Sequence, residues 1–565
     1  MRKPIRAVFV TMAIGVLGAV LLRMNVEGAP ETANAYKRLQ PGTANIDDVR
    51  TAMSAHPLKT EGGKDLRYPS DGNAALNDHF YFRGDRLALV TSASPDRRYL
   101  TEEKIFDALG EPESRIWFNT QEFLDYSEQG LRFICDLSGR TTGSLYFSPV
   151  RRRIHRGHPA SRIDLRRDLP QLPPGSVPPD FRVGAAQVSI TPETFKDLTG
   201  DRKRKPHLAE ELYARAVIFE RGQTRIALIG VDVFGMGTWD VAHLKKSLAE
   251  EGFENVVFAM SHTHANVDTI GFYGHYPRDY AKHVIKQTKQ AVLDAAEKLG
   301  PIDSLRVGSV EMPLDGGRVV DLIRNGRDPG IVNPTVSLVQ AIGSDGEPIA
   351  NVIHLACHPE VIRLKNTGGL SPDFVGRLCD DVARVLGGQS VFLNGALGGM
   401  LTPESRFRTQ AAAEEMGSTL SSYVIQAAHQ SQPSSTYDLW MHERPIEYPI
   451  TAKASLQFLK NSPEPTELHQ GRIRSEMNAL WIGDAQFITV PGELLPEVGF
   501  EIEANMTGRV RAIIGLANGE LGYMVPSYDF RAGGYEERTG PGAAGGEITR
   551  SVGLELAPMI PDTQQ

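Results

Sequence analysis

Disulfide chemistry is nearly absent from this sequence. Its 565 residues hold three cysteines, Cys135, Cys357 and Cys379. An odd, widely spaced set excludes a disulfide framework and matches no zinc-finger spacing. Buried free thiols are expected, since free cysteine is among the most buried residue types. A concentrated basic face is also lacking. The 61 Lys and Arg are set against 69 Asp and Glu, a net charge of −8, which removes the electrostatic footprint of nucleic-acid binding. No internal repeat is present. The apolar run from Ala7 to Leu22 falls short of the ~20 residues that a stable spanning helix needs.

What is present is a chain of ordinary globular composition, 41% hydrophobic and 23% charged, long enough for several domains. Arg2, Lys3 and Arg6 precede the Ala7–Leu22 run. A basic region followed by an apolar one reads as an export signal or a short uncleaved membrane anchor, with a small-residue site at Ala33-Asn34-Ala35. Residues 1–35 are therefore assigned to that segment, and the remainder is expected outside the membrane. Residues 36–150 read as a small α+β domain. A helix is expected in NIDDVRTAMS, and another from Thr101 that stops at Gly110-Glu111-Pro112. A hairpin is expected in FLDYSEQGLRFICD and a further strand in GSLYFSP. Residues 151–182 are first basic (RRRIHRGHPASRIDLRRD) and then proline-rich. They read as a stiff linker, either solvated or touching anionic lipid headgroups.

From Phe181 the pattern changes. Apolar strands (TRIALIGVDVF, NVVFAMSHTH, PIANVIHLACHP, QSVFLNGALGG) alternate with helices at 241–252, 280–300 and 373–387. This alternation predicts an α/β fold with a layered mixed sheet over 183–556.

Chemistry-bearing residues cluster at the ends of these apolar runs. His262-Thr263-His264 follows VVFAM; at i and i+2 of a strand both imidazoles would share a face, at the end where open α/β sheets place ligands. His358-Pro359 ends NVIHLAC, with His354 four residues earlier. Glu493 follows Pro-Gly after WIGDAQFITV, and Tyr523 lies in GLANGELGYMVP. Alone, each of these is as compatible with a packed side chain as with a site.

Taken in order, HTH, HP, PGE and N-x-x-x-G-Y resemble the catalytic domain of the neutral ceramidase family. GAAQVSITP (184–192), LYARAVIF (212–219), VDVF (231–234) and LSPDFVG (370–376) extend the resemblance from about Phe181 to about Ile548. It implies a zinc-dependent amidohydrolase with His262, His358, Glu493 and Tyr523 as metal ligands. His264 would be the proton carrier, and ceramide or a related N-acyl lipid the substrate, cleaved by water activated at zinc. Imidazole and carboxylate donors suit zinc. The chain departs from the family pattern after HTH, where ANVDTIG stands. It departs again in LNGALGGMLTP, where Gly395 and Ala396 occupy the place of a serine. Arg324 or Arg327 in LIRNGRDP stands where the family binds substrate. Other expectations compatible with these residues are a zinc hydrolase of another amide or ester, and a non-catalytic envelope binding protein on the same fold.

Overall fold

The computed structural model describes residues 39–147 and 173–561 apart from short stretches, the longest being 54–58, 93–98, 200–204 and 456–470. The export or anchor segment at 1–35 and the basic stretch at 151–168 lie outside the described residues. Two compact units are present: the first lies within residues 1–152 and the second contains residues 153–565.

The first unit is an eight-stranded sheet with helices at Ile46–Met53 and Glu102–Leu109. The Thr101 hydroxyl caps the second helix by accepting from the Lys104 N–H, and Gly110, at φ 79°, ends it. Gln121–Tyr126 and Leu131–Cys135 form the expected hairpin. Four further strands between Lys59 and Ser92 extend the sheet beyond the sequence expectation. They alternate only weakly in sequence, yet they bury Leu66, Tyr68, Phe80 and Val90 against Val49.

The second unit is built around two stacked sheets. Eight strands of the larger one are β1 (Arg182–Ser189), β2 (Tyr213–Arg221), β3 (Thr224–Val231), β4 (Asn255–Met260), β5 (Gly300–Glu311), β6 (Thr335–Gly343), β7 (Pro348–Leu355) and β8 (Gln389–Asn394). Their order is β4-β3-β2-β1-β5-β6-β7-β8, and Gln432–Pro433 pairs beside β5. Neighbours are antiparallel except the outermost pairs, β3–β4 and β7–β8. Each parallel pair needs a crossover, supplied by helices α1 (Thr238–Ala249) and α3 (Phe374–Leu386). These helices, with α2 (Arg278–Glu297) and α4 (Gln410–Gln430), pack on one face through Leu244, Val284, Leu378 and Val424.

The other face meets the second sheet, β9 (Leu439–Pro449), β10 (Arg472–Ile482), β11 (Ala485–Thr489) and β13 (Val510–Ile514). Helices α5 (Pro496–Asn505) and α6 (Ala543–Leu556) cover its outer side through Val498, Ile502 and Leu556. The result is four layers: helices, sheet, sheet, helices. It explains why β3 reads as a continuous apolar run. Ala227, Ile229 and Val231 face the helices, while Ile226 and Leu228 face the second sheet. Each such fully buried aliphatic side chain contributes about 1.5–3 kcal/mol.

The larger sheet curls until β3 and β8 touch. A Cβ at Gly230 would stand 2.5 Å from the Phe392 carbonyl oxygen, so only glycine permits the approach. The ends of five strands are thereby stitched together: Met260 N–H to Leu516 O, Gly515 N–H to Asn394 O, Gly395 N–H to Leu355 O, and Val490 N–H to Ile514 O. Among the described residues, no helix is long and apolar enough to cross a membrane.

Candidate metal centre

The stitched strand ends carry the histidines. β4 stops at Met260, so His262 and His264 lie in the turn beyond it rather than at alternating strand positions. His262 takes φ 68°, a left-handed conformation uncommon for a residue with a side chain. Its N–H donates to Val233 O at 3.0 Å, and its ring stacks on Phe234 at 4.8 Å between centroids. The two imidazoles nevertheless lie close together, edge to face, with ring centroids 5.0 Å apart.

His358 lies past the end of β7, fully buried, with its N–H donating to Leu401 O. Glu493 and Tyr523 come from two very short strands, β12 (Glu493–Leu494) and β14 (Tyr523–Met524), which run parallel with Glu493 opposite Tyr523. Glu493 Oε2 stands 2.8 Å from His358 Nε2, and Oε1 stands 3.8 Å from His262 Nε2. Tyr523 hydrogen-bonds to Glu493, and its hydroxyl lies 3.2 Å from Met400 Sδ.

The tautomers follow from the backbone. His262 Nδ1 is 2.5 Å from Phe234 O, and His358 Nδ1 is 2.8 Å from Leu401 O. A carbonyl only accepts, so each Nδ1 carries a proton; this leaves both Nε2 atoms on the Glu493 side, where His358 Nε2 donates to the carboxylate when protonated and where both would offer lone pairs to a bound metal. A metal-binding histidine is commonly oriented in this way. His264 places Nδ1 3.8 Å from Glu360 Oε2, and its buried Nε2 has no hydrogen-bond partner among the described residues. Nitrogens of His262, His264 and His358 all lie within 4.8 Å of one another. Two backbone-fixed imidazoles, a carboxylate and a phenol around an orphaned nitrogen fit zinc, whose ligands are nitrogen and oxygen donors of this kind.

Charge balance agrees with the geometry. Burial lowers the His264 imidazole well below its usual range, and His262 and His358 add to the effect. Burial also lowers His358, but Glu493 outweighs it and the net direction is up. Burial raises Glu493, whereas His262, His358 and Tyr523 bring it below the usual carboxylate range. Burial and Glu493 together keep the Tyr523 phenol protonated.

His262, His264, Glu493 and Tyr523 line one pocket, with His358 behind Glu493. The rest of its wall is largely apolar: Phe234, Trp239, Ile270, Phe272, Ile450, Ile473, Leu521 and Tyr535. Arg324 and Arg327 are not among its lining residues. Arg324 lies on the short strand Ile323–Asn325 opposite Thr402. Arg327 is committed to carboxylates, with Asp529 at 3.0 Å, Glu536 at 2.6 Å and Glu537 at 2.7 Å. His354, the other histidine of the HP strand, is a core residue hydrogen-bonded to Ile513 O.

Asn394 was not singled out from the sequence. Its Nδ2 donates to Ser261 O and Cys357 O, both at 2.9 Å, so one amide ties together the residues that precede His262 and His358. An Asn-Gly pair closing an apolar strand was the available signal. Asn394→Ala is expected to leave these buried carbonyls short of a donor, at about 1–3 kcal/mol. It should also weaken zinc binding by ~10–100-fold, as loss of an orienting partner does. Denaturant midpoints and chelator competition measure the two effects; undiminished zinc affinity would refute the positioning role.

No protein-family model matches the chain, and no curated protein does. Solved structures do. A ceramidase complexed with C2 aligns over 67% of this chain and 75% of its own, at 16% identity and TM-score 0.56. Neutral ceramidase from Pseudomonas aeruginosa aligns over 67% and 74%, at 17% identity and TM-score 0.55. The chain therefore has a neutral-ceramidase-like fold.

Proposed function

We propose that this chain is a neutral-ceramidase-like hydrolase that cleaves the amide bond of an N-acyl lipid, ceramide or a relative of it. The observation that carries the reading is the meeting of His262, His264, Glu493 and Tyr523 at one largely apolar pocket on this fold, with His358 bonded to Glu493. Zinc held by His262, His358, Glu493 and Tyr523 would activate a water and polarise the amide carbonyl. His264 Nε2, kept neutral by burial, would take the proton of the attacking water and pass it to the leaving amine. Phe234, Trp239, Ile270 and Leu521 form an apolar wall suited to an acyl chain. Water attacks directly in this scheme, without a covalent acyl-enzyme. Gly395 and Ala396 offer no nucleophile, the Ser261 hydroxyl is buried without a partner, and the Ser371 hydroxyl is bonded to Glu210. Export, with residues 7–22 as signal or anchor, belongs to the same reading.

Zinc-loaded protein should release fatty acid and amine from at least one member of a panel of ceramides, other N-acyl lipids and N-acyl amino acids. Release should stop in chelator and return with zinc. A protein inert towards the whole panel, and towards matching esters, would refute the enzymatic reading.

A further inference from the structure

Glu520 and Trp239 both line the histidine pocket, and each holds a polar atom that the protein does not satisfy. Glu520 is 8% exposed. Its Oε1 accepts from the Gly522 N–H at 2.7 Å, while its buried Oε2 has no hydrogen-bond partner among the described residues. The Trp239 indole Nε1 is buried and unpartnered in the same sense. Two hydroxyls of the same wall are committed, Ser455 donating to Gly540 O and Thr539 to Tyr535 O.

The two side chains lie against one short stretch of backbone. The Glu520 N–H donates to Met236 O at 3.1 Å. A Cβ at Gly235 would stand 3.2 Å from Glu520 Cγ, and one at Gly237 would stand 2.5 Å from Trp239 Cζ2. Gly235–Gly237 thus has Glu520 packed at one end and the Trp239 indole folded back on the other.

Buried polar groups of these kinds normally find a partner. An indole N–H only donates, so its partner must accept; a carboxylate oxygen only accepts, so its partner must donate. A hydroxyl does both, and it suits Glu520 in either protonation state. An ammonium would serve Glu520 alone, and a carbonyl would leave a Glu520 carboxylate unserved. A plain acyl chain carries no hydroxyl, so the group falls to the amine part of the substrate.

We propose that Glu520 and Trp239 are specificity-determining residues that recognise a hydroxyl on the amine part of the substrate, selecting N-acyl amino alcohols over amides of plain alkylamines. The inference rests on the hydrolase reading of this pocket. Both residues act by hydrogen bonding away from the scissile amide and take no part in bond cleavage. A site built around a hydroxyl penalises the analogue that lacks it, because its polar groups are left unpaired.

The test uses the zinc-loaded full chain and two matched pairs of amides. One is N-octanoyl ethanolamine with N-octanoyl propylamine, which exchanges the hydroxyl for a methyl; the other is a short-chain ceramide with its 1-deoxy analogue. Dissociation constants come from calorimetry and kcat/KM from amine release. The wild type should favour the hydroxylated member of at least one pair by ~10²-fold. Trp239→Phe, which keeps a ring without the N–H, and Glu520→Leu should each shrink that ratio about tenfold. If Glu520→Leu fails to fold, Trp239→Phe decides alone. Folded variants that lose activity but keep the wild-type ratio would show a merely structural role and overturn the proposal. Equal handling of both members by the wild type, as when water satisfies both atoms, overturns it too. Cleavage without preference refutes this proposal alone, preferential binding without cleavage refutes the hydrolase reading alone, and binding of no member refutes both.

Discussion

Replacing His358 by alanine should yield a protein that has lost most of its zinc and most of its turnover. The ring is fully buried and fixed at Nδ1 by Leu401 O, and Nε2 is 2.8 Å from Glu493. Alanine removes one donor and leaves the Glu493 carboxylate, also buried, without its nearest partner. Breaking a buried charged pair costs ~3–5 kcal/mol, so the variant should also melt lower. The several kcal/mol of charge stabilisation that a metal supplies correspond to about a thousandfold in rate. Elemental analysis of folded protein is the deciding measurement: wild type at about one zinc per chain, as its ligand set implies, and the variant far below. Stoichiometric zinc in folded His358→Ala would refute the ligand assignment.

His264→Ala should separate turnover from metal. If His264 carries the proton, the variant keeps zinc near the wild-type level and loses the ~10²–10⁴ in rate typical of a general acid–base. The rival outcome has a structural basis, since a His264 nitrogen lies within 4.8 Å of those of His262 and His358. A third imidazole ligand would take the zinc away with it. Single turnover in ¹⁸O-water, with hydroxylamine present, examines the same step. Direct attack predicts no acyl-hydroxamate and no burst of amine, and recovery of either would show a covalent intermediate.

The residues that were legible in the sequence share a physical cause. β4 and β7 are buried on both faces and are mostly apolar, β7 being interrupted only by Asn351 and His354, so histidines beyond their ends stand out. Helices α1, α2 and α3 fell within a few residues of expectation because glycine or a polar turn stops each. Helix α4 escaped notice. Its buried face is Ala413, Met416, Gly417, Leu420, Ser421, Val424 and Ala427, a stripe of mostly small residues with little amphipathic contrast. The small residues let it lie close to α3: a Cβ at Gly417 would be 2.6 Å from Phe374 O. Strand β9, with Pro445 among charged residues, carries no clear strand pattern; it is an edge strand, where proline is tolerated. Arg327 looked like a substrate contact because its partners lie some two hundred residues downstream, at Asp529, Glu536 and Glu537. No local pattern announces such a pairing, and the same holds for the bridge made by Asn394.

The four candidate ligands come from four separate stretches of chain, and Glu493 and Tyr523 meet only through a two-residue parallel pairing. This imposes an order of events on biosynthesis. A nascent chain that has not yet emerged past Tyr523 can present two imidazoles but no finished cage, and closing loops of this length is slow. On the proposed ligand set, metal acquisition would therefore be a late event that reports completed folding of the second unit. A truncation anywhere before β14 should give a polypeptide that cannot be rescued by added zinc, however much of the larger sheet it retains.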